Sequence, residues 1–451
     1  MTDIFKAYDI RGLYPQEINE IIAKRIGFAF AEYLDKQNVV VGYDMRESSR
    51  PLAEAFIDGV LSHGTNVRDI GLATTPMLYS AIIDGHFDGG AMITASHLPS
   101  KYNGIKLCRE KAIPLSGDDG LPDIEKLYQA ETTILSRNAH FTYEVFLDRY
   151  LEKLSKFIQP SEALKIVVDV GNGMGGLDSR HIFKKYPKCK FIPMYMDPDG
   201  NFPHHIPNPA LPSTTAELQT RVVSEKADLG IAFDGDCDRC GFVDEAGDRI
   251  PSDLIMAILS EYFLQKEPGA TILYDLRASH VVPERIKELG GNPVKTRVGH
   301  SFIKQKMREV NAIFAGELSG HFYFREMGFI DSGILSMISM INLLSLKKVP
   351  VSQLVRPLQK YAQTGEINFK VTDVQGLFRE LERHYRDGKI EHLDGLTVEY
   401  DDWWFNLRVS HTEPVVRLVM EAVEEKKLEE EKSQLMQIIG KYENEQGDKD
   451  G

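Results

Sequence analysis

Cysteine is scarce: four residues (Cys108, Cys189, Cys237 and Cys240) in a chain of 451. That excludes a disulfide scaffold. Cys237 and Cys240 form a single C-x-x-C with no second pair, which argues against a structural zinc site. Long apolar runs are missing too, and none approaches the length that spans a bilayer. Positive charge is in deficit, with 53 Lys and Arg against 67 Asp and Glu and a net charge of −14. Nonspecific attraction to nucleic acid or an anionic membrane is therefore not expected, and no obligate protein partner is indicated. The start, Met1-Thr2-Asp3-Ile4-Phe5-Lys6, carries no signal-peptide pattern, so the expectation is a cytoplasmic protein. What remains is ordinary globular composition, 42% apolar and 27% charged, long enough for several domains.

The most informative stretch is Asp234-Gly235-Asp236-Cys237-Asp238-Arg239, directly after the apolar run Leu229–Phe233. In an extended loop alternate side chains share a face, so the three carboxylates crowd one another. Two unit charges about 4 Å apart repel by roughly 1 kcal/mol in water and about 4 kcal/mol at an effective dielectric near 20. The cluster is comfortable in bulk water, as a solvated turn, or around a cation. All-oxygen ligands suit Mg2+ or Ca2+. Asp at positions 1, 3 and 5 with Glu245 at position 12 mimics an EF-hand loop. Position 6 there should be Gly but is Arg239, and the flanks read as strands, so Mg2+ is preferred.

A weak internal repeat organises the rest. Val39–Asp44, Ile166–Asp169 and Ile272–Asp275 are apolar runs closed by Asp. Each is followed, after helical sequence, by a second apolar run ending in a polar loop. Those loops are Thr94-Ala95-Ser96-His97, residues 234–239, and Gly316-Glu317-Leu318-Ser319-Gly320-His321. Strands alternating with helices imply parallel α/β sheets, whose ligands bind beyond the carboxyl ends of the strands. The expected division is 1–148, 149–250, 251–365 and 366–451. The last unit, with its antiparallel-looking runs around Gly395–Tyr400, Trp404–Val409 and Arg417–Val423 and an acidic helix, reads as a small α+β domain. Residues 444–451 are polar and expected to be disordered.

Ser96 offers a hydroxyl at a strand end, as a capping serine or a nucleophile. No G-x-S-x-G surrounds it, so an α/β-hydrolase triad is unsupported. Beside a Mg2+ loop, it points to phosphoryl transfer. In Phe405–Pro414, Arg408, Ser410 and Thr412 alternate, with Arg417 soon after. The set reads either as an amphipathic strand or as a clamp for a phosphate dianion, to which the guanidinium fork is suited.

Together these stretches resemble the α-D-phosphohexomutases, specifically the phosphomannomutase/phosphoglucomutase group, from Tyr8-Asp9-Ile10-Arg11-Gly12 to Thr412-Glu413-Pro414. The resemblance implies three similar α/β domains with mixed sheets and a smaller α+β C-terminal domain around a central cleft. It implies a phosphoserine at Ser96 and Mg2+ held by Asp234, Asp236 and Asp238 with a phosphoserine oxygen. Glu317, Ser319 and His321 would form the sugar loop, and Arg408, Ser410, His411, Thr412 and Arg417 the phosphate clamp. Tyr8, Arg11, Lys106 and Arg239 match cleft positions that contact phosphate or assist proton transfer. Gly299 and His300 match a sugar-contacting loop, and Arg277 stands where a Lys is frequent.

The implied reaction moves a phosphoryl group between C1 and C6 of mannose or glucose phosphates, through a hexose 1,6-bisphosphate that turns end for end. His321 or His97 would take the hydroxyl proton. Leu98 stands where the family commonly has Asn, Cys237 replaces a Gly, and His411 replaces an Asn. These departures bear on affinity and specificity more than on reaction type. The alternatives are a phosphoglucosamine mutase, a non-catalytic sugar-phosphate-binding protein, or a Mg2+ phosphatase.

Overall fold

The computed structural model of the chain describes residues 4–130, 138–410 and 414–443. The three Asp-ended runs are parallel strands: Asn38–Tyr43, Lys165–Asp169 and Thr271–Asp275. Each pairs in parallel with the second run of its unit, Gly89–Ile93, Leu229–Phe233 and Phe314–Gly316 respectively. The first sheet has seven strands and the second and third have five each. Each also carries antiparallel partners, so all three are mixed. In each, the strand leaving the polar loop returns antiparallel beside the second run: Tyr102–Arg109, Cys240–Val243 and Phe322–Phe324. The polar loops therefore reverse the chain at the carboxyl ends of those second runs, which puts their side chains beyond the same end of each sheet.

The strands are buried on both faces by helices, which explains their unbroken apolar sequence. Several helices begin at short polar side chains that cap the first turn. Asn19 caps Glu20–Leu34 by accepting from the Ile22 N–H at 3.1 Å. Thr74 caps Thr75–Asp84, whose first turn holds Pro76. Ser332 caps Gly333–Lys347, a helix buried along nearly its whole length. Among the described residues no single helix is long and apolar enough to cross a membrane.

The fourth sheet, five strands and wholly antiparallel, runs Ala362–Phe369, Val416–Ala422, Trp403–Val409, Leu396–Glu399, Lys389–Glu391. Helices Val374–His384 and Glu425–Gly440 cover it. Its core, around Leu381, Phe405, Leu418 and Leu435, is separate. One continuous apolar cluster, by contrast, joins the first three units, running from Tyr79 and Met92 through Ile166 and Phe233 to Ile338. The architecture is three α/β domains fused through a shared core, with a smaller C-terminal domain attached.

Candidate active site

The four polar stretches line one cavity of about 480 Å3. Of the residues expected there, Tyr8, Arg11, Ser96, His97, Lys106, Arg239, Arg277, Gly299, His300, Glu317, Ser319, His321, Arg408, Ser410 and Arg417 all face it. His411 and Thr412 lie outside the described residues. The three aspartates lie beneath the cavity floor, fully buried.

Ser96 sits at the floor, 1% exposed, with a left-handed backbone (φ +51°) that L residues rarely adopt. Its hydroxyl donates to Asp234 Oδ2 at 2.8 Å, 138 residues away, and His97 Nδ1 lies 3.2 Å from the same Oγ. The metal loop reaches it by close backbone approach: a Cβ at Gly235 would lie 2.3 Å from the Ser96 carbonyl oxygen. Only glycine fits there. Cys237 is also left-handed (φ +63°), which accounts physically for the glycine expected at that place. Its thiol points into the shared core, and burial pushes its pKa well up, so it is an inert packing group.

The acidic loop is not extended but a tight turn, and it still brings one oxygen from each of Asp234, Asp236 and Asp238 within 4.8 Å of one another. Lys106 reaches in from the first domain, its Nζ donating to Asp236 Oδ2 at 2.5 Å and Asp238 Oδ2 at 2.6 Å. Thr75 donates to Asp236 Oδ2 at 2.5 Å. Burial and the two neighbouring aspartates push the Asp234 pKa well up. Burial, the largest single influence, works the same way on Asp236 and Asp238, but Lys106 with Thr75 at the former, and Lys106 with His321 and Arg239 at the latter, together lower both. Lys106 pairs with Asp236 and Asp238 but not with Asp234, whose nearest cation, Arg239 Nε, stands 3.8 Å off, and Asp236 Oδ1 accepts no hydrogen bond. Hard oxygen donors with free lone pairs fit a small dication such as Mg2+. The strand flanks Leu229–Phe233 and Cys240–Val243 exclude the EF-hand reading, which needs helices.

Across the cavity, Glu317 is fixed by Gly299 N (3.0 Å) and the Tyr323 hydroxyl (2.6 Å). Burial would raise its pKa, but His321, Arg277 and Tyr323 hold it well below the carboxylate range. His321 bridges the loops. Its Nε2 lies 3.2 Å from Asp238 Oδ1, and its Nδ1 lies 2.9 Å from the Ser319 hydroxyl and 3.4 Å from Glu317 Oε2. Burial alone would lower its pKa, but Asp238 raises it to about 9. His97 goes the other way, kept neutral by burial and the nearby Arg239 and Arg11.

At the far end, Glu366 accepts from Arg277 (3.1 Å), Arg408 (3.0 Å) and Arg417 (2.9 Å), gathering guanidinium groups of the third and fourth domains. Sequence reading missed Glu366, Thr75 and the lining residues Lys6, Glu17 and Tyr102, none of which carries a local pattern, and gave Asp9 no role although it lies within the Tyr8–Gly12 stretch. It also gave no role to the strand-ending Asp44 and Asp275, although their recurrence is the visible signal. Asp275 Oδ2 accepts from Leu318 N at 2.8 Å and so anchors the sugar loop.

Comparison with known proteins agrees with this four-domain architecture. The phosphoglucomutase/phosphomannomutase family models match residues 2–134 (alpha/beta/alpha domain I), 146–247 (domain II), 251–361 (domain III) and 366–438 (C-terminal domain). A phosphomannomutase of Vibrio cholerae is 40% identical over 435 residues, covering 93% of this chain and 94% of that protein. One of Methanocaldococcus jannaschii is 36% identical, covering 97% and 98%. The crystal structure of a phosphoglucomutase/phosphomannomutase family protein from Burkholderia thailandensis superimposes with a TM-score of 0.90 at 31% identity, over 98% of this chain and 99% of that one. With all four domain models in order along a single chain and relatives matching nearly its whole length, the protein belongs to the phosphoglucomutase/phosphomannomutase family of α-D-phosphohexomutases, isomerases that act on hexose phosphates.

Proposed function

We propose that the protein interconverts the 1- and 6-phosphates of mannose, and of glucose, through a phosphoserine at Ser96 and a hexose 1,6-bisphosphate. One observation carries this reading: the Ser96 hydroxyl stands 2.8 Å from Asp234, between a buried carboxylate triad and a cleft lined with cations. Asp234, Asp236 and Asp238 would hold Mg2+. Bound there, it would neutralise the triad, withdraw charge from the phosphoserine oxygens and relieve the pull of Asp238 on the His321 proton.

The rest is done by the chain itself. Lys106, Arg11 and Arg239 face the floor, where they balance charge on the transferring group. The sugar hydroxyl must approach on the side away from Ser96 Oγ. His97 contacts Oγ itself, whereas His321 stands between the metal and sugar loops, so His321 is the better placed to take the hydroxyl proton. Glu317 and Ser319 hold the C3 and C4 hydroxyls, which mannose and glucose share. Arg408, Ser410 and Arg417 hold the non-reacting phosphate at the other end. The intermediate then turns, and the second phosphoryl returns to Ser96.

Ser96→Ala is expected to lose turnover while still binding hexose phosphate. Intact mass should show one phosphoryl group on the wild type and none on the variant; full activity in the variant would sink the mechanism. Coupled assays with mannose, glucose and glucosamine 1-phosphates decide the sugar. Activity confined to glucosamine phosphate would replace the assignment with a phosphoglucosamine mutase, and net phosphate release at the turnover rate would make the protein a phosphatase.

A further inference from the structure

Arg46 is 2% exposed and does not face the cleft, yet its guanidinium spends all its donors on one loop and one partner. Nη2 donates to the carbonyls of Ser96 (2.8 Å) and Leu98 (2.6 Å). Nη1 donates to those of Pro99 (2.8 Å) and Tyr102 (3.1 Å). Nε donates to Asp44 Oδ2 at 3.2 Å. Asp44 in turn accepts from the Thr94 hydroxyl at 2.6 Å, and Thr94 Oγ1 accepts the Ser96 N–H at 2.9 Å. Both peptide groups flanking the Ser96 Cα therefore trace back to a single carboxylate, through Thr94 on one side and Arg46 on the other.

The third domain offers an internal comparison. Asp275 and Arg277 repeat Asp44 and Arg46 at the end of the equivalent strand, with the same backbone turn: Arg46 N to Asp44 Oδ1 at 3.0 Å, Arg277 N to Asp275 Oδ1 at 2.8 Å. Arg277 spends only two nitrogens on its aspartate and turns Nη1 to Glu366 at the cleft. Arg46 has nothing left for a ligand. Its donors lie across the carbonyls of a segment whose serine holds φ +51°, a strained conformation that persists only where surroundings over-determine it.

We infer that Asp44, Arg46 and Thr94 are positioning residues that lock the Ser96 backbone in its left-handed conformation and so aim its oxygen for phosphoryl transfer. The inference rests on the reading of Ser96 as the phosphorylated nucleophile. Arg46→Lys keeps the charge but cannot span four carbonyls; Thr94→Val keeps the shape but removes the hydroxyl. Both leave the sugar loop and clamp untouched. Misplacement of a reacting group by about 1 Å costs on the order of 100-fold in rate. Arg46→Lys is expected to lower kcat by about that factor with KM within about threefold of wild type, and Thr94→Val to lower kcat in the same pattern. Single-turnover phosphorylation of Ser96 by hexose 1,6-bisphosphate should slow in step. A kcat within about threefold of wild type, or a KM that rises as kcat falls, overturns the proposal. If Arg46→Lys does not fold, Thr94→Val decides on the same readouts. Ser96→Ala, run alongside, separates the two claims. An active Ser96→Ala defeats the nucleophile reading, whereas an inactive Ser96→Ala beside a normal Arg46→Lys and Thr94→Val defeats only this one.

Discussion

At the residue scale, the molecule keeps carboxylates buried by giving most of them a cation. Asp178 is among those without one. It is fully buried, its Oδ2 accepts from the Thr74 hydroxyl at 3.1 Å, and its Oδ1 accepts nothing. Burial raises its pKa from 3.8 to about 7. A carboxyl raised on folding favours the folded state below its unfolded value, and that contribution is lost as pH climbs through the folded value. The Asp178 contribution should therefore decline from about pH 4 to about pH 7, at up to about 1.4 kcal/mol per pH unit, and level off above. Asp178→Asn should match the wild type near pH 4 and exceed it at pH 8. Denaturation midpoints at the two pH values check this; a difference independent of pH contradicts it. At the triad, chelating the metal should abolish turnover and added Mg2+ should restore it, while calorimetry still detects hexose phosphate bound at Glu317 and the arginines.

At the element scale, the strand-to-loop unit was legible because its signals are local. Apolar runs closed by Asp predict strands, and the structure adds the reason for the Asp. In all three units its Oδ1 accepts the N–H two residues on, at Arg46, Gly171 and Arg277, turning the chain at the strand end. The helix contacts were not legible, since side-chain periodicity does not say which two helices cross. Glu20–Leu34 and Ser49–His63 cross so closely that a Cβ on Gly59 would lie 1.9 Å from the Lys24 carbonyl oxygen. Backbone cannot yield as a side-chain tip can. Gly59→Ala should cost at least about 1–3 kcal/mol through overpacking, read as a lowered denaturant midpoint at unchanged slope.

At the scale of the whole molecule, three domains share one core and the fourth has its own. Domains with separate cores move relative to one another unless their interface is large and apolar. Polar joints prominently link the fourth domain here: Glu366 with Arg277, and Glu421, which accepts from His280 N (2.9 Å), Gln363 Nε2 (2.8 Å) and the Trp404 indole (3.0 Å). Such a joint would let the cleft open for the turning intermediate of the proposed mechanism. Calorimetry of the free protein should resolve a separate, lower transition for the fourth domain. Hexose 1,6-bisphosphate, spanning the cleft, should merge it with the main one, adding about 2.7 kcal/mol at 100 times its Kd. Arg408→Ala should weaken the merging, and a single transition in the free protein would contradict the picture.

The sequence by itself determined the repeated strand-and-loop unit, the acidic cluster, a serine at a strand end and the alternation that carries Arg408 and Ser410. Each depends on neighbours within a few residues, through alternation, turn chemistry or charge spacing. Only the tertiary structure decided that Ser96 meets Asp234, that Lys106 threads into a triad 130 residues away, and that Arg46 is consumed by carbonyls while Arg277 faces the cleft. Those outcomes depend on how three sheets pack on one core. So do the proton affinities of His97 and His321, identical in type and opposite in shift, because each ring's burial is tertiary and Arg239 and Asp238 reach both from the second domain.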